Sequence, residues 1–130
     1  MDLAQFTPAT WIGASLALVV AAGIVYVGIS YLIAPAATAQ GFGFTSAITP
    51  ETTPWQHIKG PRDIVSGLVV VAMLVFFGPA AAAFILIIEA LIPIGDALMI
   101  IRNHGRPAIA LGVHASTAMV MIVAAVLLFF

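Results

Sequence analysis

The chain has 130 residues, of which 63% are hydrophobic and 7% are charged, and its net charge is −1. Ordinary soluble domains carry roughly a quarter charged residues, so the composition excludes that class and indicates an integral membrane protein. There is no basic run to suggest nucleic acid as a partner, and no cysteine for disulfides or thiolate chemistry. The length suits one domain with about four membrane spans of roughly 20 residues each.

The first predicted span covers residues 9–34 and carries no charged side chain. We predict that it begins after Thr7-Pro8, because Thr is a favourable N-cap and Pro suits the first helical position. The segment Ala37-Thr38-Ala39 resembles a signal-peptide cleavage site. The apolar stretch is too long for a signal peptide and no basic residue precedes it, so we expect the span to be retained.

A long connection, residues 35–59, separates the first two predicted spans. Loops of this length in compact domains are usually functional or disordered. The run Thr53-Pro54-Trp55 is typical of a helix start, so we predict a short interfacial helix that carries Trp55. We interpret the connection as a lid that lies on the membrane surface.

Three further spans are predicted from the apolar runs, at residues 61–77, 80–101 and 107–129. The third contains Pro93, and a proline inside a helix removes one hydrogen bond, so we expect a kink there that can open a cavity. The predicted fold class is therefore all-α, a four-transmembrane-helix bundle with a long loop between helices 1 and 2.

All four basic residues fall in the two connections that a four-span chain places on one side. Lys59 and Arg62 lie between the first two spans, and Arg102 and Arg106 lie between the last two. The positive-inside rule makes that side cytoplasmic. Both termini are then extracytoplasmic, and we expect a membrane of the bacterial inner-membrane type.

The acids of the third span are the most informative residues, because a charge inside a span by default marks a binding, relay or catalytic position. Glu89 lies near the predicted bilayer midplane. Asp96 follows seven residues later, about 20° away around the helix, so the two carboxyl groups face one space. Asp63, in the first turn of the second span, and His114, about two turns into the fourth, belong to the same half of the bundle. These four residues are the candidate catalytic groups.

Such a set fits general acid and base chemistry on a lipophilic molecule, for example isomerisation, hydration or cyclisation. The candidate substrate-binding residues are Arg62, Tyr26, Trp55 and Thr117. No cofactor is expected. No metal is expected either, because one deep histidine and scattered carboxylates lack the compact spacing of zinc or di-iron ligands.

Each candidate also has a structural interpretation. Asp63 can be an ordinary carboxylate at a helix start, stabilised by the helix dipole. Asp96 and His114 can form a hydrogen bond that joins two helices. Glu89 can be protonated and hydrogen bonded to a carbonyl or to Tyr26. Arg102 and Arg106 are most simply anchors at the membrane interface.

Three runs carry a resemblance to a known family: Lys59-Gly60-Pro61-Arg62-Asp63-Ile64-Val65-Ser66-Gly67-Leu68, Ile92-Pro93-Ile94-Gly95-Asp96-Ala97-Leu98 and His114-Ala115-Ser116-Thr117-Ala118. They resemble small four-helix membrane proteins classed only as a domain of unknown function, over nearly the whole chain. The resemblance implies that Arg62, Asp63, Asp96 and His114 are the characteristic polar positions, and it implies no activity. In architecture such proteins are similar to DoxX-like bundles and to membrane bundles of the sterol-isomerase type, an analogy of fold alone.

Three functions follow from these observations. The first is an enzyme or binding protein for a lipophilic small molecule, with residues 35–59 as its lid. The second is a small proton-coupled transporter acting as a homodimer, although small multidrug exporters carry their key acid in a first helix that is uncharged here. The third is an accessory subunit of a larger membrane complex. The expected partners are the lipid bilayer and a lipophilic small molecule, with no nucleic acid.

Overall fold

The computed structural model describes residues 6–130, which contain helices and connections but no strand. Four helices are long and apolar enough to cross a membrane: α1 (Pro8–Ile33), α3 (Thr53–Phe77), α4 (Pro79–Arg102) and α5 (Pro107–Leu128). The short helix α2 (Pro35–Gly41) follows α1. The predicted all-α fold with four spans is confirmed.

The start of α1 is fixed by the two threonines that flank Pro8. The Thr7 hydroxyl accepts a hydrogen bond from the Thr10 backbone N–H at 3.1 Å, and the Thr7 backbone N–H donates to the Thr10 hydroxyl at 3.3 Å. This capping box satisfies backbone donors that the first helical turn leaves free.

The connection between the first two spans differs from the prediction. Part of it is helical, as α2, and α3 begins at Thr53, well before the predicted start at residue 61. Trp55 therefore lies in the first turn of a long helix and not in a separate interfacial one. Pro61 lies inside this helix, because a single missing backbone donor is tolerated when the flanking turns are hydrogen bonded and packed.

Two ends of the bundle differ in character. The end that carries Lys59, Arg62, Arg102 and Arg106 is called the basic end below. The opposite half is packed around small side chains, which allow helix backbones to approach closely. The buried alanines of this core are Ala14, Ala17, Ala21, Ala82, Ala83, Ala90, Ala124 and Ala125.

Glycines bring α1 and α3 into backbone contact. A Cβ atom added to Gly28 would lie 2.6 Å from the Gly60 carbonyl oxygen, and one added to Gly67 would lie 2.6 Å from the Ala21 carbonyl oxygen. Only a residue without a side chain fits at such crossings.

Two of the spans are irregular next to the cavity described below. The regular helix of α4 is interrupted at Ala90, where Pro93 has no N–H to donate to the Glu89 carbonyl. In α5, the segment Ala110–Ala115 is wound as a π-helix and contains His114. Such wide turns are frequent at functional sites because they redirect side chains.

Candidate functional site

A cleft of about 580 Å³ lies inside the bundle toward the basic end, which is within the range of about 300–1,000 Å³ usual for small-molecule sites. Near the basic end the spans separate into two packed pairs, α1 with α3, and the Leu91–Arg102 part of α4 with the Ala110–Ala115 part of α5. The cleft is the space between these pairs. Toward the other end it stops at buried core residues such as Ala21, Val70 and Met121.

The cleft also opens sideways. Several residues that line it are exposed, and they lie along the spans and not only at the basic end. We interpret these positions as an opening between the helices. They are Val19, Gly23 and Tyr26 on α1, Ile92 on α4, and Val113, Ser116 and Val120 on α5. Most of these side chains are apolar, so the opening has the character of a lipid-facing surface.

Asp96 and His114 form one polar pair in the cleft. The imidazole Nδ1 lies 3.7 Å from Asp96 Oδ2, and Nε2 lies 3.0 Å from the Phe42 carbonyl oxygen. A carbonyl can only accept, so Nε2 carries the hydrogen and Nδ1 is directed toward the carboxylate. The Phe42 ring packs on the imidazole with centroids 4.6 Å apart. A fixed imidazole beside a carboxylate can take up or release a proton at a bound molecule.

Lys59 and Asp63 form a second pair, one helical turn apart on α3. The ammonium Nζ lies 2.8 Å and 3.0 Å from the two carboxylate oxygens, and Asp63 is buried. The same ammonium lies 5.2 Å from the ring centroid of Tyr31 and 5.3 Å from that of Phe42, within range of cation–π attraction. Lys59 therefore joins α1, α3 and the connection after α2.

Glu89 differs from the other two acids of the cleft. It lines the cleft at the interruption of α4, with Ser66 of α3 as another lining residue. Within residues 6–130 the ion pairs are those of Asp63 and Asp96, and no basic group lies within 4.0 Å of the Glu89 carboxyl. Among the three acids that line the cleft within residues 6–130, Glu89 is the one that has no basic group within 4.0 Å.

The structure separates the predicted substrate-binding residues into two groups. Tyr26 and Thr117 line the cleft, and Tyr26 stands at its opening with 72% of its surface exposed. Trp55 and Arg62 do not line it, and both are exposed. Arg62 directly precedes Asp63. Adjacent helical residues point about 100° apart, so only Asp63 of this pair faces the cleft.

The connection interpreted above as a lid contains α2, and part of it lines the cleft. Thr38, Gly41 and Phe42 line the cleft at the basic end. Arg106 holds this segment in place: its guanidinium donates to the Gln40 carbonyl, and its backbone N–H donates to the Gly43 carbonyl at 2.8 Å. Arg106 therefore fastens the cover of the cleft.

Lys59, Tyr31 and Phe42 were missed by the sequence reasoning. Lys59 was interpreted only as a topology marker, because the second span was predicted to begin after it. Had α3 been extended to Thr53, the four-residue spacing of Lys59 and Asp63 would have predicted their pairing. No local pattern marks Tyr31 or Phe42. In the described part of the chain no three His, Asp or Glu side chains are grouped to hold a metal ion.

These features define a small all-helical protein with four candidate transmembrane helices and a polar cleft built from a single chain. The chain belongs to the family described as domain of unknown function DUF4267, whose sequence model matches residues 21–128. The family resemblance drawn from the sequence is thereby confirmed. Comparisons with curated proteins and with solved structures gave no significant match, so the DoxX-like analogy has no support from them.

Proposed function

We propose that this protein takes a lipophilic small molecule from the bilayer into its cleft and acts on it, or holds it, through the acids and the histidine there. One observation carries the proposal: a single chain encloses about 580 Å³ that is mostly apolar but includes Glu89, Asp96 and His114. Apolar walls with a few convergent polar groups are the usual form of a small-molecule site.

The cleft suggests how such a molecule lies. Its apolar body would pack against side chains such as Val20, Ile24 and Met121, and its polar group would point toward Asp96 and His114. The sideways opening between exposed apolar residues lets a molecule dissolved in lipid enter without crossing water. The Asp96 and His114 pair would then serve as base and acid for a proton transfer such as an isomerisation.

Neither alternative function has comparable support. A proton-coupled transporter must expose its site to both sides of the membrane, and here the half opposite the basic end is filled by alanines. An accessory subunit would be expected to present its polar groups on its outer surface, whereas these side chains line a cleft.

The test is to identify the compound that co-purifies with the protein after extraction from the membrane. We expect mass spectrometry of lipid extracts to find one lipophilic compound enriched with the wild-type protein in mild detergent. Gly23→Phe should lose that compound, because Gly23 lines the opening and has free space for a side chain. Ala22→Phe is the matched control, since Ala22 is exposed but does not line the cleft. Identical extracts from all three proteins, matching the bulk membrane, would refute the proposal.

A chemical role for the polar pair can be separated from simple binding. We expect Asp96→Asn to co-purify with a different compound from that bound to the wild type, because an inactive enzyme retains substrate instead of product. Chromatographic separation before mass spectrometry distinguishes the two compounds even when they are isomers of equal mass. Circular dichroism and thermal unfolding in detergent should show that the variant folds. The same compound on both proteins would indicate a binding protein and not an enzyme.

A further inference from the structure

Glu89 indicates the chemical class of the molecule that binds in the cleft, called the guest below. Of the three acids that line the cleft, Asp63 contacts Lys59 at 2.8 Å and Asp96 has the His114 ring nitrogen at 3.7 Å. Glu89 has no basic group within 4.0 Å in residues 6–130. The site therefore has one more acidic than basic group. We infer that the bound molecule is a lipophilic amine whose protonated nitrogen pairs with Glu89, an inference that rests on the binding function proposed above.

No arginine of this chain takes the place of that cation. Arg62 and Arg102 are exposed at the basic end, and Arg102 lies thirteen residues beyond Glu89, about 20 Å along a helix. The Arg106 guanidinium is bonded to the Gln40 carbonyl. In the proposed complex, the bound molecule supplies this positive charge.

The surroundings of Glu89 make such a charge effective. A carboxylate is costly among apolar groups unless an opposite charge or a hydrogen-bond donor meets it. The buried residues Val70 and Met121 line the same cleft, so its inner part is apolar and competition from water is reduced there. The Tyr26 ring at the opening adds an aromatic face that attracts cations. An alkyl chain fits the apolar walls, and an ammonium group fits Glu89.

The experiment uses the full chain in nanodiscs of zwitterionic lipid, with empty nanodiscs to subtract partitioning into lipid. The probes are N,N-dimethyldodecylamine and dodecanol, which share the alkyl chain but differ in charge. We expect the wild type to bind the amine at least about tenfold more tightly than the alcohol, because a hydrogen bond to a charged group is stronger than a neutral one. Glu89→Gln should abolish that preference.

Glu51→Gln is the matched control, because it removes the same charge from an exposed residue of the connection before α3. A hydrogen bond from Thr49 lowers the pKa of the Glu51 carboxyl, so this residue is ionised at neutral pH. The control should keep the full preference for the amine.

Two results would overturn the inference. If dodecanol binds as tightly as the amine, or if Glu89→Gln keeps the preference, the guest is not recognised as a cation, while the proposed binding function stands. If neither probe binds above the level of empty nanodiscs, the inference fails together with the broader proposal. The unfolding midpoint of Glu89→Gln in detergent is measured as a control. A midpoint equal to that of the wild type shows that a change in binding does not result from misfolding.

Discussion

At the scale of single residues, the pair of Lys59 and Asp63 connects the polar site to the stability of the fold. Asp63 is 7% exposed, and its carboxylate is held by an ammonium that also approaches the rings of Tyr31 and Phe42. A buried carboxylate without its cation is strongly unfavourable. Lys59 thus stabilises Asp63 and also helps to close the basic end of the cleft.

We expect Lys59→Met to destabilise the protein by about 3 kcal/mol, because it leaves the Asp63 charge buried and unpaired. The measurement is thermal unfolding in detergent. The double variant Lys59→Met with Asp63→Leu should recover much of the loss, since no charge then remains buried. Arg62→Met is the control, because this exposed residue has the same charge and should change stability little. Equal effects of Lys59→Met and Arg62→Met would contradict this account.

At the scale of helices, the close contact of α1 and α3 forms one wall of the cleft. Gly28 lies against Gly60, and Gly67 lies against the backbone of Ala21. The opposite wall is irregular, because Pro93 interrupts α4 and the π-helix Ala110–Ala115 widens α5. The cleft therefore lies between the closely packed pair α1 and α3 and the irregular pair α4 and α5.

Gly28→Ala should cost about 2 kcal/mol of stability, because its methyl group would overlap the Gly60 carbonyl and push the helices apart. Gly23→Ala is the matched control on the same helix. Its methyl group meets nothing within 4 Å, so it should be neutral or stabilising by up to about 1 kcal/mol. Thermal unfolding of both proteins checks the pair, and a Gly28→Ala variant as stable as Gly23→Ala would show that the helices are not in tight contact.

At the scale of the whole molecule, charge and packing divide the bundle. The end with the four basic residues also carries the cleft and its cover, and the other half contains the alanine core. In that half the Thr7 hydroxyl donates to the Phe130 carbonyl at 3.1 Å, which joins the beginning of α1 to the end of α5. The positive-inside rule predicts that the basic end faces the cytoplasm.

Because the chain has no cysteine, each introduced thiol is unique and reports the side on which it lies. In bacterial spheroplasts that express the protein, we expect Phe130→Cys to react with a membrane-impermeant maleimide. Ser46→Cys, in the exposed connection at the basic end, should react only after the membrane is permeabilised. The reverse labelling pattern would place the basic end outside the cytoplasm and contradict the predicted orientation.

Much of the site could be predicted because its strongest signals are local. Asp96 follows Glu89 at a spacing that returns to the same helix face, and charges in apolar helices avoid lipid. The structure indeed brings Glu89, Asp96, His114 and Asp63 to one cleft. Trp55 and Arg62 lie outside the cleft. Trp55 lies in the first turn of α3, which begins earlier than predicted. Arg62 points away because it is adjacent to Asp63, which faces the cleft.

The sequence by itself determined the four apolar helices and the inward acids, since hydropathy and helical periodicity act over a few turns of one segment. Only the tertiary structure decided that Phe42 covers His114, that Tyr31 lies beside Lys59, and that the helices separate into two pairs. Those features depend on contacts between residues far apart in the chain, at glycine crossings and around α2. Their geometry follows from the packing of complete surfaces and not from any short pattern of residues.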